Sequence, residues 1–169
     1  MKLLFVHDFP AEFYKGDYYS MGFPYSIWER YLSIFDEMII SSRFKSSKDI
    51  IEKKQSSGKK VEFRPITSYK SPKSLLNNHK DIIEKITLAI KESDGVLIRV
   101  PSVLGFIAAK ICKQLNKKYM VEVVGSAYDA FWYHGSIFGK LLASPMELLQ
   151  KRAVKNATVA IYVTQNYLN

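Results

Sequence analysis

Apolar positions along the chain follow two spacings that alternate. Apolar runs of strand length lie at Lys2–His7, Glu37–Ser42, Val61–Ile66, Gly95–Arg99, Tyr119–Val124 and Thr158–Val163. Between many of these runs, apolar residues recur three and four positions apart, which is the spacing of one helix face. These helical segments lie at Tyr25–Phe35, Ser71–Glu92, Pro101–Leu115 and Phe138–Lys155. About six strands alternating with helices predict one doubly wound α/β domain over residues 1–169, with a mainly parallel sheet and helices on both faces.

The segment from residue 93 to residue 129 gives the clearest unit of this pattern, a strand, a helix and a second strand. Two strands joined through a helix lie parallel, so their carboxyl ends meet at one edge of the sheet. Ligands of open parallel sheets bind beyond that edge. Here the two ends carry Arg99 and the pair Gly125–Ser126, and Asp129 follows closely. The sequence therefore predicts a ligand site at this edge.

Three segments interrupt the regular pattern. Residues 8–24 are rich in Tyr, Phe, Gly and Pro and predict a long irregular loop, in which Tyr14, Gly16 and Tyr19 would close over the site. Residues 126–135 predict a second aromatic loop, which contains His134 as a candidate acid–base group. Residues 43–60 are basic and serine-rich and predict a mobile surface segment. The sequence Ser144–Glu147 resembles a capping box and predicts a break between two helices.

Composition restricts the class of protein. The 169 residues are 47% hydrophobic, which is typical of a folded domain and not of a disordered chain. The single cysteine, Cys112, lies on an apolar helix face and predicts a buried structural thiol in a reducing compartment. The chain has no apolar run of about 18 residues. We therefore expect a cytoplasmic protein.

The net charge of +9 would suit nucleic acid, an anionic membrane surface or a phosphorylated ligand. A solvated basic face explains much of this excess equally well. We expect peripheral association with the inner face of the cell membrane and no specific nucleic-acid partner.

Several enzyme classes are disfavoured by missing motifs. No glycine-rich turn follows the first strand, which argues against a dinucleotide cofactor, and no phosphate-binding loop ending in Gly-Lys-Ser/Thr is present. No closely spaced group of His, Asp and Glu suggests a metal, and no Gly-x-Ser-x-Gly sequence suggests a hydrolase. The sequence thus predicts no metal and no cofactor, and it identifies no catalytic residue.

Arg99 and Glu122 are charged residues in strands that should be buried. The Arg99 guanidinium would hold a phosphate or a carboxylate with two hydrogen bonds, or it would pair with a structural acid. A buried carboxylate such as Glu122 requires a partner, and Arg99 is one candidate. The alternative is that Glu122 faces the ligand cleft. The sequence leaves both interpretations open.

Four segments of the chain resemble the N-terminal domain of GT-B glycosyltransferases, especially glycosyltransferase family four. Residues 26–32, SIWERYL, resemble the family's Gly-Gly-x-Glu-Arg region, with Ser26 and Ile27 in place of its glycines. Residues 98–102, IRVPS, resemble its strand-to-helix step. Residues 119–126, YMVEVVGS, resemble its Val-x-x-x-His-Gly segment, with Val124 in place of its histidine. Residues 157–168 resemble its closing strand.

The resemblance implies a Rossmann-like domain that binds the sugar acceptor, a polysaccharide or a lipid-linked sugar. In this family a second, C-terminal domain holds the nucleotide sugar, which is a co-substrate, and the anomeric configuration is retained. That domain is absent from this chain, so the resemblance implies no transferase activity for the chain alone.

Two other classes remain as alternatives. One is a non-catalytic basic α/β module that binds nucleic acid or an anionic membrane surface. The other is a flavodoxin-like or receiver-like signalling domain, for which only Asp8 follows the first strand.

Overall fold

The computed structural model describes residues 1–69, 71–133 and 137–163. The chain forms two compact units, residues 1–96 and residues 97–169. Each unit combines strands with helices. Within the units every strand pair is parallel except the two pairs made by the second strand of the chain. The predicted α/β class with mainly parallel strands is therefore confirmed.

The first unit is built on two long strands, β1 (Lys2–Tyr14) and β3 (Glu37–Ser46), which pair in parallel. Leu3, Leu4, Phe5 and Val6 of β1 are all buried. Burial of consecutive residues means that both faces of the strand are covered, as in the centre of parallel sheets. Helix α1 (Tyr25–Leu32) connects these strands and buries Trp28.

The prediction of a long irregular loop over residues 8–24 is wrong. The register of β1 against β3 shifts between Val6 and Pro10, which marks a β-bulge, and the strand then continues to Tyr14. A turn at Lys15–Gly16 leads into β2 (Asp17–Ser20), which pairs antiparallel with β1. Both turn residues have positive φ, +47° and +95°. This is the conformation of a two-residue hairpin turn and explains the glycine at position 16.

The prediction of a mobile surface segment over residues 43–60 is also partly wrong. Strand β3 continues through Ser46, four residues beyond its predicted end, and β4 (Lys54–Gln55) pairs with β2. One basic side chain of the segment is held in place, because Arg43 Nε donates to the Asp8 carbonyl at 2.6 Å. A basic and serine-rich composition therefore did not mean an unstructured segment.

The rest of the first unit follows the predicted elements with two interruptions. The strand predicted over residues 61–66 is divided at Arg64–Pro65 into β5 (Val61–Phe63) and β6 (Ile66–Thr67), both parallel to β3. The helix predicted from Ser71 is divided at Asn78 into α2 (Pro72–Asn77) and α3 (His79–Glu92). Ser71 caps α2 as predicted.

The second unit contains the three-stranded parallel ladder β7 (Gly95–Val100), β8 (Met120–Val123) and β9 (Val159–Tyr162), with β7 beginning in the last two residues of the first unit. Helix α4 (Val103–Gln114) joins β7 to β8, with Ser102 as its cap. The prediction that Cys112 is buried is confirmed, and burial raises the pKa of its thiol to about 12. The nine strands of the described residues exceed the six predicted, because the hairpin adds β2 and β4 and one predicted strand is divided.

Two predictions for the second unit are wrong. The predicted aromatic loop after Gly125 begins with a short helix, α5 (Ala127–Trp132), because the Ser126 hydroxyl accepts the Asp129 N–H and caps it. The predicted break at Ser144–Pro145 does not occur, because Pro145 lies inside the continuous helix α6 (Ile137–Lys155). No helix of the described residues is long and apolar enough to cross a membrane.

Candidate functional site

A cavity of about 230 Å³ lies at the carboxyl end of β8 in the second unit. Its floor is Val123, followed by the predicted residues Gly125 and Ser126. Helix α6 forms one wall and β9 adds the ring of Tyr162, which is nearly half exposed. Of the residues predicted for the site, Gly125 and Ser126 therefore line a cavity. The residues that line it are Val123, Gly125, Ser126, Ala127, Glu147, Gln150, Lys151, Val154 and Tyr162.

Gln150 organises the polar part of this cavity. Its amide Nε2 donates to the Gly125 carbonyl at 2.9 Å, which fixes the strand end against α6. Its Oε1 atom is buried and accepts no hydrogen bond from the described residues. A buried amide oxygen without a donor is unfavourable, and a ligand hydroxyl would satisfy it. Glu147 and Lys151, one turn apart on α6, form an ion pair of 2.7 Å at the rim.

The chemistry of this cavity suits a ligand that carries hydroxyl groups. It presents an amide, a carboxylate, an ammonium group and one tyrosine ring. A hydroxyl-rich ligand would use the polar groups, and the tyrosine ring provides a flat apolar surface for one ring face. In the described ranges 1–69, 71–133 and 137–163, no group of three His, Cys, Asp or Glu residues is placed to hold a metal ion.

Arg99 and Glu122 lie on the other face of this ladder. They are register partners on β7 and β8, and Arg99 Nη1 lies 3.4 Å from Glu122 Oε2. Side chains alternate along a strand, so Glu122 points away from the face that carries Val123. Neither residue lines the cavity. The structure therefore shows the ion pair that the sequence left as one of two interpretations.

None of the other predicted site residues that the structure describes lines this cavity. Asp129 lies in the first turn of α5 and does not line the cavity. Tyr14, Gly16 and Tyr19 belong to the β1–β2 hairpin of the first unit, where the Tyr14 and Tyr19 rings meet edge to face with centroids 6.4 Å apart. His134 lies outside the described residues. Sequence reasoning did not propose Gln150, Glu147, Lys151 or Tyr162 as site residues, because they come from a helix and a strand that follow Gly125 at a distance in the sequence and carry no binding motif.

The first unit has a cavity of its own, about 240 Å³, beside the β-bulge. Its walls are mostly apolar, and the Phe9 and Phe23 rings stack there with centroids 4.2 Å apart. The buried Glu12 lines it together with Lys53, whose Nζ lies 3.1 Å from Glu12 Oε2. Lys45 lies 3.7 Å from the other carboxylate oxygen. This cavity therefore combines an aromatic wall with a buried charge pair.

The Glu12 ion pair predicts a pH-dependent stability. Burial opposes ionisation of Glu12, but contacts with Ser47 and Lys53 outweigh it and lower the pKa of the carboxyl. A lowered folded pKa stabilises the fold above the unfolded value of about 4.3, and this contribution is lost as pH falls through the folded pKa. We expect Glu12→Gln to reduce the free energy of unfolding by about 2 kcal/mol at neutral pH.

Urea unfolding of both proteins as a function of pH tests this expectation. The difference between wild type and Glu12→Gln should shrink as the pH falls through the lowered pKa of the Glu12 carboxyl, since the wild-type side chain then protonates. The control is Glu84→Gln at an exposed position of α3. A Glu12→Gln difference that is the same at acid and neutral pH would contradict the assignment.

Comparison with known proteins adds two findings. The chain is 66% identical to Protein CapJ of Staphylococcus aureus over an alignment of 171 residues that covers all of this chain. The chain spans 43% of the length of that relative. No family model matches the sequence. The structure is similar to the crystal structure of a Listeria monocytogenes protein assigned as a UDP-N-acetylglucosamine 2-epimerase, with a TM-score of 0.53.

The structural match covers 97% of this chain and 39% of the epimerase chain at 11% identity. At that identity the likeness concerns the fold alone. The chain therefore shares its Rossmann-like fold with part of that protein, in agreement with the fold predicted from the sequence.

Proposed function

We propose that this chain is the acceptor-binding half of a GT-B glycosyltransferase, which moves a sugar from a nucleotide sugar to a polysaccharide or lipid-linked acceptor. The observation that carries the proposal is the cavity at the end of β8, where Gly125, Gln150 and Tyr162 present groups that suit a sugar ring. The fold shared with a sugar-nucleotide protein and the similarity to CapJ support it. The name CapJ accords with a capsular polysaccharide as the product.

The charged groups that line the cavity indicate whether this chain binds the acceptor or the nucleotide-sugar donor. The leaving diphosphate of a nucleotide sugar develops negative charge, which needs cations or N–H donors beside it. Among the described residues that line the cavity, the only ammonium group is that of Lys151, and it is paired with Glu147. We therefore assign donor binding and catalysis to the remainder of a longer protein, as in retaining family four enzymes. The chain alone should bind an acceptor without transferring sugar.

Saturation-transfer NMR on the 169-residue chain tests the assignment. The probes are the methyl glycosides of N-acetylglucosamine, N-acetylmannosamine, galactose and fucose, and separately UDP-N-acetylglucosamine. We expect saturation of sugar ring protons of at least one glycoside and none of the uracil protons. Dominant saturation of uracil, or no saturation of any glycoside, would refute the acceptor role.

The substitution Gly125→Leu tests whether the glycosides bind in the cavity at the end of β8. Gly125 lines the cavity, and a Cβ atom there meets no other atom within 4 Å, so a leucine is accommodated without a clash at its root. We expect the glycoside signals to be lost while the free energy of unfolding changes by less than about 1 kcal/mol. Gly22→Leu is the matched control, because Gly22 is equally open and lines the cavity of the first unit. If only Gly22→Leu lost binding, the acceptor site would instead be the cavity of the first unit.

The main alternative is a non-catalytic binding module for nucleic acid, which the charge of +9 favours. Two of the basic side chains are already engaged, because Lys45 and Lys53 face Glu12. Salt-dependent binding of a fluorescent random oligonucleotide, stronger than binding of any glycoside, would support this alternative instead.

A further inference from the structure

Arg43 of the first unit has a guanidinium group whose two terminal nitrogens donate no hydrogen bond to any residue that the structure describes. The residue lies in the carboxyl-terminal half of β3, opposite Pro10 of β1 and Ile66 of β6. Ligands of parallel sheets bind towards the carboxyl ends of the strands. The Arg43 side chain is partly buried, so water solvates it incompletely. A ligand that accepts hydrogen bonds would replace the remaining water.

Two contacts fix this guanidinium in place. Its Nε atom donates to the Asp8 carbonyl at 2.6 Å, within the β-bulge that takes residues 7–9 out of register with β3. Its Cζ atom lies 5.6 Å from the centre of the Tyr69 ring. The Tyr69 hydroxyl donates to Asp8 Oδ1 at 2.7 Å, so the ring is held as well. Bulges are frequent beside functional sites, where they redirect a side chain, and here the bulge orients Arg43.

A guanidinium that is held through Nε presents its Nη1 and Nη2 groups as a fork. Such a fork matches two oxygens of a carboxylate or a phosphate and binds them with two parallel hydrogen bonds. Because the Arg43 fork is already oriented, an oxyanion that binds it does not have to immobilise a flexible side chain. The arrangement therefore has the features of a preformed oxyanion site.

Arg64, also in the first unit, shows the contrast with a guanidinium that is already occupied. It contacts the carboxylates of Glu62 and Glu92, so two counter-charges hold it in the folded protein. Arg43 contacts only a carbonyl oxygen and an uncharged ring, and no carboxylate of the described residues forms an ion pair with it. The oxyanion-binding role that the sequence suggested for Arg99, which is paired, therefore fits Arg43 better.

We propose that Arg43 binds the carboxylate or phosphate group of a small anionic ligand at the β-bulge of the first unit. The Asp8 carboxylate, which accepts the Tyr69 hydroxyl, adds one negative charge nearby. A carboxylate monoanion should therefore bind more tightly than a phosphate dianion. The site uses no residue of the cavity at the end of β8, so it goes beyond the proposed function and does not depend on it.

Titration of the 169-residue chain, followed by the arginine Nε–Hε signals in heteronuclear NMR, tests the proposal. The probes are methyl glucuronide for a carboxylate, inorganic phosphate, and methyl glucoside as the neutral equivalent of the glucuronide, all at constant ionic strength. We expect the Arg43 signal to shift and saturate with glucuronide, to respond more weakly to phosphate, and to stay in place with glucoside. The Arg64 signal is the internal control and should not move, because carboxylates already occupy its guanidinium.

Two lysine variants give a matched comparison. Arg43→Lys keeps the positive charge but loses the fork, and the missing signal in its spectrum identifies Arg43. We expect it to weaken glucuronide binding, measured from the backbone amide signals of residues 7–9, on the order of tenfold. Arg30→Lys makes the same change at an exposed arginine that also lies over a tyrosine ring, 4.5 Å from the centre of Tyr31, and should leave binding unchanged.

Three results would overturn the proposal. One is a wild-type Arg43 signal that neither anion moves, a readout that needs no substitution. Another is an equal response to glucoside and glucuronide, or equal shifts of Arg43 and Arg64, since either would show that the carboxylate is not recognised at this site. The third is undiminished glucuronide binding by a folded Arg43→Lys protein. Tighter binding of phosphate than of glucuronide, lost in Arg43→Lys, would support the oxyanion site and identify phosphate as its ligand group.

Discussion

Replacing Trp28 by alanine is expected to lower the free energy of unfolding by about 4 kcal/mol. Trp28 is completely buried in the first unit, where its ring meets Phe5 edge to face at 5.0 Å and stacks on Phe23 at 5.7 Å. Its indole N–H donates to the Ser56 carbonyl at 2.9 Å. The substitution removes a large ring and one donor together, and the surrounding aromatic residues cannot close the space that remains.

Urea unfolding followed by far-UV circular dichroism measures this loss without relying on tryptophan fluorescence. Trp28→Phe keeps most of the ring volume and loses the N–H, so about half of the effect should return. Leu88→Ala removes an exposed apolar side chain on α3 and serves as the control, with an expected change below about 1 kcal/mol. A Trp28→Ala protein as stable as Leu88→Ala would contradict the role of Trp28 as the centre of this core.

The second large effect concerns the charge pair of the second unit. We expect Arg99→Met to lower the free energy of unfolding by about 3 kcal/mol, because it leaves the buried Glu122 carboxylate without its guanidinium. Adding Glu122→Leu should restore stability to within about 1 kcal/mol of wild type, since an apolar pair of similar volume often replaces a buried ion pair without loss. Thermal or urea unfolding of wild type, the two single variants and the double variant gives a double-mutant cycle for this ion pair.

The same double variant separates a structural role from a ligand-binding role. If the Arg99–Glu122 pair only stabilises the ladder, the restored protein should give the same glycoside signals in saturation-transfer NMR as wild type. A stable double variant that has lost these signals would instead assign Arg99 to the ligand. A double variant as unstable as Arg99→Met would show that the arginine stabilises the fold through contacts other than Glu122.

Regular elements with strong periodicity could be predicted from the sequence. The segment Gly95–Val123 folds as strand, helix and strand, because Ser102 caps the helix and the apolar spacing changes clearly on either side of it. Two residues that follow this unit, Gly125 and Ser126, line the cavity at the end of β8. Local signals were sufficient where propensity, capping and burial all agree.

Segments where tertiary pairing overrides composition could not be predicted. Glycine and proline among the aromatic residues after His7 indicated a loop, but Pro10 is accommodated where the register shifts at the bulge, and Gly16 serves a tight turn. Ser144–Pro145 carried a start signal that packing of the surrounding helix overrode. Gln150 and Tyr162 reach the cavity from elements distant in sequence, and no local motif marks such a contribution.

The β1–β2 hairpin changes how an aromatic segment of this kind would contribute to recognition. Fixing a flexible residue costs about 1–2 kcal/mol of conformational entropy, and a lid formed by a loop meets that cost at each binding event. In this chain Tyr14, Tyr18 and Tyr19 are already held by strand pairing, so folding has ordered them in advance. A ligand that contacts this hairpin would meet a preformed surface, and selectivity would come from the fit of the ligand to rigid rings rather than from closure of a loop around it.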